Sequence, residues 1–273
     1  MTAFARSLRA ALVAGILLAA GCARGPSVDG SFTAVSQGSR AQYLILHFTR
    51  EDWSTSLEIL ARGPVSSHYL VRDDPVRLYR LVDESRRAYH AGAGSWQGRS
   101  NMNSASIGIE IVNGGDRPEA DGSVFWHPYP EAQMDAVVQL VAWIVERHGI
   151  KPHNVLAHSD IAPLRKVDPG PLFPWRRLAD AGLILWPDAD RVAARMDAHA
   201  IDPPDAAWFQ RMLTKHGFEL TPTGELDDET RTVLAAFQMK YRPARHDGVA
   251  DAETAALLEV ITDSDLSAAD FTR

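Results

Sequence analysis

The sequence predicts an α/β protein with a mixed central β-sheet flanked by helices, followed by a small C-terminal domain of three helices. Three observations lead to this prediction. Short apolar strands alternate with helical segments as far as about residue 185. The longest helical segment, EAQMDAVVQLVAWIVERHG, repeats its apolar residues at helical spacing. Beyond residue 203, one short motif occurs twice, each time at the start of an amphipathic helix.

The overall composition limits the classes of protein to which the chain belongs. Its 273 residues leave room for about two domains, at the usual roughly 100–200 residues per domain. A hydrophobic content of 45% is ordinary for a globular protein and excludes wholesale disorder. The net charge of -7 gives no sign of a basic surface, so we expect no nucleic-acid partner. We expect the protein to be a monomer.

The first 22 residues have the pattern of a secretory signal. Arg6 and Arg9 precede the run AALVAGILLAAGC, which is too short to span a bilayer comfortably. Small residues lead directly to Cys22, the only cysteine, and this resembles a bacterial lipoprotein signal in which that cysteine is lipidated. The alternative is an ordinary secretory peptide with an incidental cysteine. Residues 23–40, rich in Gly, Ser and small polar residues, are expected to be a flexible tether.

Apolar density and turn residues predict the elements of the first domain. Strands are expected over residues 42–48, 65–72, 76–82, 106–112 and 154–159, with a turn at Asp73–Pro75 between the second and third. A short helix is expected over residues 53–63, capped by Ser54 or Thr55 and stopped by Gly63. The longest helix is expected to end at Gly149.

The C-terminal part has a different character. The segment after Trp186 is polar and rich in alanine and ends in Pro203-Pro204, which predicts a domain boundary. The stretch GELDDETRTVL then aligns with GVADAETAALL, and in both copies an aspartate, Asp227 or Asp251, is placed to cap a helix. The segment AAWFQRMLTKHGF supplies the third helix of this module.

Several polar residues occur where burial favours apolar ones. His47 and His158 end predicted strands, Glu110 lies inside SIGIEIV, and Lys166 and Asp168 follow on a proline-rich segment. Two neutral imidazoles and a carboxylate are a common zinc shell that leaves a fourth position for water. Glu110 suits a proton acceptor and Lys166 suits a cation that stabilises an oxyanion. The alternative is structural: hydrogen-bonded core histidines and a buried Glu–Lys ion pair.

Four motifs resemble those of a known enzyme family. SSHYLV, RAYHAGAGSWQG, SIGIEI and HSDIAPLRKVDPGPLFPW are similar to the signatures of the type-2 N-acetylmuramoyl-L-alanine amidases, which are zinc enzymes. The resemblance implies a catalytic domain over residues 41–185 and a bound Zn²⁺. It also implies the roles of five residues: zinc ligands at His47, His158 and Asp168, a catalytic carboxylate at Glu110 and a catalytic lysine at Lys166.

The resemblance also implies a substrate. The amide between N-acetylmuramic acid, or its 1,6-anhydro form, and L-alanine would be hydrolysed in cell-wall turnover. Residues 203–262 resemble a peptidoglycan-binding three-helix domain, the alternative being a structural appendage. Sugar or peptide contacts are expected from the loop before the Glu110 strand, at His90, Trp96, Arg99 and Asn103.

Two other functions stay open. One is a recognition protein that binds peptidoglycan without cleaving it, and the other is a zinc peptidase of the stem peptide. The expected partners are peptidoglycan or muropeptides and, through a lipid on Cys22, a membrane. Because Ala23 rather than aspartate follows Cys22, we expect the periplasmic face of the outer membrane.

Overall fold

The structure is a computed structural model that describes residues 26–263. Residues 26–37 belong to a unit of their own, contain neither helix nor strand, and are exposed. Residues 38–263 form a second unit. Cys22, the predicted signal peptide and the first residues of the predicted tether lie outside the described residues. Between residues 26 and 263, no helix combines the length and apolar composition needed to cross a bilayer.

A five-stranded sheet forms the middle of the second unit. The described residues contain seven strands, of which five form this sheet. They are β1 (Tyr43–Phe48), β2 (Tyr69–Arg72), β3 (Arg77–Arg80), β4 (Ser106–Ile111), β5 (Asp116–Pro118), β6 (Val124–Trp126) and β7 (Val155–Ala157). The sheet order is β3-β2-β4-β1-β7, while β5 and β6 form a separate hairpin. Strand β1 runs parallel to β4 and β7, β2 runs parallel to β4, and β3 is antiparallel to β2. The predicted mixed sheet is confirmed.

Helices cover this sheet and continue as far as residue 261. They are α1 (Trp53–Arg62), α2 (Met102–Ala105), α3 (Glu131–His148), α4 (His158–Ile161), α5 (Trp175–Asp180), α6 (Ala189–Ile201), α7 (Ala206–His216), α8 (Asp228–Tyr241) and α9 (Ala252–Ile261). Helix α3 ends at Gly149 as expected. The cap of α1 corrects the expectation of Ser54 or Thr55: Asp52 has extended backbone, and its carboxylate accepts the Thr55 N–H at 2.8 Å.

Strand β1 divides the core because its side chains alternate between two faces. Leu44 and Leu46 pack in one hydrophobic cluster with the buried side of α3. Tyr43 and Ile45 pack in another cluster, together with residues of α7, α8 and α9. His47 continues the row of Tyr43 and Ile45. The C-terminal helices therefore cover the same face of the sheet from which His47 projects.

The sequence repeat corresponds to a repeated structural unit. Asp227 and Asp251 cap α8 and α9 by accepting the N–H groups of Thr230 and Thr254, as predicted. Each unit also holds a buried glutamine that bonds a glycine N–H and a threonine hydroxyl. The two sets are Gln210 with Gly224 and Thr230, and Gln238 with Gly248 and Thr254.

The three predicted C-terminal helices are present as α7, α8 and α9. The polar segment expected at the domain boundary is itself a helix, α6, which is capped by Asp188 and packs against α9. Alanines that suggest a linker by composition are also strong helix formers, which explains the difference.

Candidate active site

The centre of the site is formed by His47, His158 and Asp168, which come from three separate segments. His47 is the fifth residue of β1, and His158 directly follows the neighbouring parallel strand β7. Because parallel strands end at one edge of a sheet, the two imidazoles meet there. Asp168 reaches the same point from the loop after α4. All three side chains are buried.

Their donor atoms are close enough to share one metal ion. Asp168 Oδ2 lies 3.1 Å from His47 Nδ1 and 2.9 Å from His158 Nδ1, and the two Nδ1 atoms are 2.9 Å apart. A tetrahedral zinc with ligands at about 2.0–2.1 Å needs donor atoms roughly 3.3 Å apart. Two imidazoles and a carboxylate are also a donor set that zinc accepts. The residues therefore fit the metal that the resemblance implies.

The ring orientation of His158 is set by a backbone carbonyl. Its Nε2 lies 3.0 Å from Ala91 O, which only accepts hydrogen bonds, so Nε2 carries the hydrogen. The Arg165 guanidinium also donates to Ala91 O and lies farther from Nε2, at 3.4 Å. The Nδ1 lone pair of His158 is then directed towards the other two donors, as a metal ligand requires.

A chain of hydrogen bonds sets the ring orientation of His47 in the same way. The Ser106 hydroxyl donates to Met102 O at 2.7 Å, so its oxygen accepts from His90 Nε2 at 3.2 Å. His90 Nδ1 is then free to accept from His47 Nε2 at 3.0 Å. This leaves the Nδ1 lone pair of His47 directed towards Asp168 and His158.

The buried surroundings keep the donors in the protonation states that bind a metal. Burial, and then the neighbouring His158, lower the pKa of His47 to about 4, so its imidazole is neutral at pH 7. Asp168 is ionised at pH 7, because its pKa lies well below the usual range despite its burial. The cluster thus offers neutral imidazole and ionised carboxylate.

Glu110 lies beside His47 because the two residues are in register between β4 and β1. Glu110 lines the cleft, and among the described residues its Oε2 has no hydrogen-bond partner. Burial raises the pKa of Glu110 well above its ordinary value, the charge of Asp168 raises it further, and the charge of Lys166 opposes the shift. A carboxyl group with a raised pKa is suited to take up and return a proton near neutral pH.

The segment that begins at His158 corrects one expectation about local structure. His158 does not end a strand but begins α4, so the chain turns immediately after the donor. A turn follows α4, in which the N–H groups of Arg165 and Lys166 both donate to Ala162 O. Beyond this turn, Lys166 and Asp168 line the same cleft.

The cleft has a volume of about 480 Å³. His90, Glu110, His158, Lys166 and Asp168 line it. Several further residues that line the cleft were not predicted from the sequence: Phe48, Arg50, Ile59, Val65, Tyr89 and Asp116. Tyr89 lies in the motif RAYHAGAGSWQG, next to His90, whereas the others belong to segments that are separate in the sequence and share no motif.

Three of the four residues expected to contact substrate do not line this cleft. Trp96 is only 1% exposed and packs against Phe218. The side-chain Oδ1 of Asn103 accepts hydrogen bonds from the N–H groups of His90 and Ala91, so this residue supports the loop. Arg99 is exposed but bonds Gln42 and does not line the cleft. His90 lines the cleft, yet its ring is buried and bonded to His47.

Two family models match the chain. One, described as N-acetylmuramoyl-L-alanine amidase, matches residues 37–171. The other, a peptidoglycan-binding domain, matches residues 202–258. The chain is 41% identical over 265 residues to the N-acetylmuramoyl-L-alanine amidase AmiD of Escherichia coli, covering 92% of this chain and 95% of the relative. It is 37% identical over 118 residues to the 1,6-anhydro-N-acetylmuramyl-L-alanine amidase AmpD of Enterobacter cloacae, covering 43% and 57% of the two chains.

Solved structures extend the likeness to the whole described fold. The complex of E. coli AmiD with anhydro-N-acetylmuramic acid-L-Ala-D-gamma-Glu-L-Lys is 40% identical, with a TM-score of 0.78 over 87% of this chain and 94% of the other. The AmpDh3 of Pseudomonas aeruginosa in complex with anhydromuramic pentapeptide is 37% identical, with a TM-score of 0.81 over 88% and 98%. In both cases the match extends beyond the amidase segment into the C-terminal helices.

The environment of Glu110 predicts how its removal changes stability. In the metal-free protein, the folded state retains the Glu110 proton at pH values where the unfolded chain, with a pKa near 4.5, has released it. Stability from this group is therefore lost as the pH rises above about 4.5. We expect Glu110→Gln to raise the free energy of unfolding at pH 7 by on the order of 1 kcal/mol, and by less at pH 5.

Urea unfolding of chelator-treated protein at the two pH values measures this effect. The control is Glu146→Gln, at an exposed position of α3, which should leave both values nearly unchanged. A Glu110→Gln protein that is less stable than the wild type at pH 7 would mean that the carboxylate is favourably solvated or paired.

Proposed function

This chain belongs to the N-acetylmuramoyl-L-alanine amidase family, and we propose that it hydrolyses the amide between N-acetylmuramic acid, or its 1,6-anhydro form, and L-alanine in peptidoglycan or its fragments. One observation carries the proposal: the donor cluster of His47, His158 and Asp168 opens onto the cleft that Glu110 and Lys166 line. The extended similarity to AmiD supports this function.

We assign the metal to His47 Nδ1, His158 Nδ1 and an oxygen of Asp168, and we propose that it is zinc. When bound, zinc lowers the pKa of water to about 7 and polarises a carbonyl oxygen. The fit of the donor set supports this choice, since Nδ1 lone pairs and an ionised carboxylate converge to within a few tenths of an ångström of the spacing that zinc needs. The hydrogen bonds behind the two imidazoles hold them in that orientation.

Glu110 moves the proton in this reaction. Glu110 lines the cleft and, among the described residues, its Oε2 has no hydrogen-bond partner, so its carboxyl group can accept a proton from the attacking water. The same carboxyl group then delivers the proton to the nitrogen of L-alanine as the amide breaks. A raised pKa suits both steps, because a carboxyl group that bound protons only weakly would not return one near pH 7.

Lys166 supplies positive charge on the wall of the cleft. It lies close enough to Glu110 and His47 for its charge to influence both groups. The carbonyl oxygen of the substrate becomes negatively charged as water adds to it, and a fixed ammonium beside it lowers the energy of that state. Lys166 thus acts on the oxygen of the reacting carbonyl and Glu110 on the proton.

The other two functions differ in the support they have. A recognition protein that does not cleave needs no complete donor set, and here all three donors and Glu110 are present. A zinc peptidase of the stem peptide would use the same groups, so only the product distinguishes it. For the helical module over residues 203–262, we propose peptidoglycan binding, which its match to a peptidoglycan-binding domain supports.

The bond that is cleaved identifies the function directly. Purified protein with stoichiometric zinc should release intact stem peptides with a free L-alanine amine from peptidoglycan, and a chelator should stop the release. Mass spectrometry of the soluble products measures both results. Binding to peptidoglycan without release would support the recognition protein, and peptides cut within the stem would support the peptidase.

The assigned roles predict different defects for two variants. Lys166→Ala should keep its zinc but lose about 10²–10³-fold in turnover, because only the charge near the developing oxyanion is removed. His47→Ala should lose the metal itself, since one of three donors is gone. Zinc content and kcat on a muropeptide separate the two effects. Lys151→Ala, at an exposed position, is the control, and undiminished turnover in Lys166→Ala would remove this lysine from the mechanism.

We further propose that the protein is a lipoprotein, anchored through Cys22 at the periplasmic face of the cell envelope. A basic start, a short apolar run and small residues before Cys22 support a lipoprotein signal. Ala23, where aspartate is the retention signal in enteric-type sorting, supports the outer membrane. An anchor there would keep the cleft near its polymeric substrate.

Two substitutions at the signal test the anchor. Cys22→Ser should abolish incorporation of labelled palmitate and release the protein from the membrane fraction. Ala23→Asp should keep the lipid but shift the protein from the outer to the inner membrane. A wild-type protein that takes up no palmitate and is found in the soluble periplasmic fraction would instead have an ordinary secretory signal.

A further inference from the structure

The C-terminal helices contain a buried lysine that the proposed reaction does not use. Lys240, in α8, is 4% exposed. Its Nζ forms an ion pair of 2.7 Å with Asp160 Oδ2 and donates to Val155 O at 3.2 Å. The same Nζ lies 4.5 Å from the centre of the Trp175 ring. All three partners belong to the part of the chain that carries the metal donors.

The partners of Lys240 lie on both sides of His158. Val155 begins β7, which leads directly into His158, and Asp160 is the third residue of α4, which His158 begins. Asp160 Oδ2 also accepts the N–H of Ala157 at 2.8 Å. One ammonium group from α8 therefore bonds a backbone carbonyl three residues before this metal donor and a carboxylate two residues after it.

Helix α4 is also bonded to the segment of Asp168. The Ser159 N–H donates to Asp168 O at 3.0 Å, and the Ala162 N–H donates to His158 O at 3.0 Å. A displacement of α4 therefore moves two of the three donors relative to His47. With donor atoms only 2.9–3.1 Å apart, a shift of a few tenths of an ångström changes the fit to the metal.

A second contact from the C-terminal helices is made with the loop whose backbone bonds the ring of His158. The Gln97 N–H donates to Gly217 O at 2.8 Å. The Trp96 ring lies so close to Gly217 that a Cβ at that position would overlap the indole. Trp96 and Gln97 lie in the same loop between β3 and α2 as Ala91, whose carbonyl fixes the ring of His158.

We infer that Lys240 is a positioning residue for the metal site, acting through Asp160, so that the C-terminal helices complete the amidase site as well as adding a binding module. The inference rests on the proposed function, because it takes His158 and Asp168 to be zinc ligands. Partners that orient a metal ligand are worth about 10–100-fold in metal affinity. Lys240 acts through Asp160 and the backbone around His158 rather than on the imidazole itself, so the lower end of that range is expected.

The test compares variants of the full chain that remove the ion pair. Lys240→Met removes the ammonium and keeps most of the apolar stem. Its zinc dissociation constant, measured by competition with a chromophoric chelator, should rise about 10-fold. The visible spectrum of the cobalt-substituted protein should also change, because it reports the ligand geometry. The double variant Asp160→Asn with Lys240→Met leaves no unpaired buried charge and keeps an oxygen that accepts the Ala157 N–H. It replaces the single variant in these measurements if Lys240→Met alone fails to fold.

Arg242→Met is the matched control for a loss of stability alone. Arg242 is a buried cation in the same region, but its ion pairs with Asp251 and Glu253 lie within the helical module. This variant should lose stability in urea and keep the zinc affinity and cobalt spectrum of the wild type. His158→Ala, measured in the same assay, should lose zinc and so establishes the donor set independently.

The outcomes separate the inference from the proposed function. Weaker zinc binding in the Lys240 variants but not in Arg242→Met supports positioning. Wild-type affinity and spectrum in the Lys240 variants, or an equal loss in Arg242→Met, overturns it while the donor set stands. Wild-type zinc binding in His158→Ala overturns the proposed metal site itself.

Discussion

Three lone pairs converge in one small buried volume, and much of the surrounding structure serves to hold them there. The Nδ1 atoms of His47 and His158 and Oδ2 of Asp168 lie within 3.1 Å of one another. Acceptor atoms at this spacing repel one another in surroundings of low dielectric constant unless a cation or a proton lies between them. The free energy gained when a metal binds such a cluster is therefore coupled to the free energy of folding.

This constraint explains features that have no other evident purpose. In the series of hydrogen bonds behind His47, each group donates to the next: His47 to His90, His90 to Ser106, and Ser106 to a backbone carbonyl. This series therefore supports only one tautomer of each ring. The ring of His90 lies directly over Gly108 in β4, where a Cβ would overlap it. A glycine in the middle of a buried strand usually weakens the strand, and here the close approach of an imidazole accounts for it.

Sequence patterns predicted the elements of this fold more reliably than the neighbours of each side chain. Alternating and helical periodicity is a local property, so β1, β4, α3 and both capped repeats were predictable. The resemblance of four motifs supplied the donor set. The register that places Glu110 beside His47 depends on strand order, which no local pattern contains. Trp96 was expected to contact substrate because it lies in a loop, but residues more than a hundred positions later in the chain bury it.

The same long-range packing joins the two segments that match family models, residues 37–171 and 202–258, in one hydrophobic core. A binding module joined by a linker has a core of its own, whereas Phe209 and Phe237 of the helical region pack in one cluster with Ile45 of the central strand. That strand carries His47 two residues further on. Unfolding of the C-terminal helices would therefore expose the face of the sheet from which a metal donor projects. The boundary that composition suggests at Pro203-Pro204 separates two sequence families, but the hydrophobic core is continuous across it.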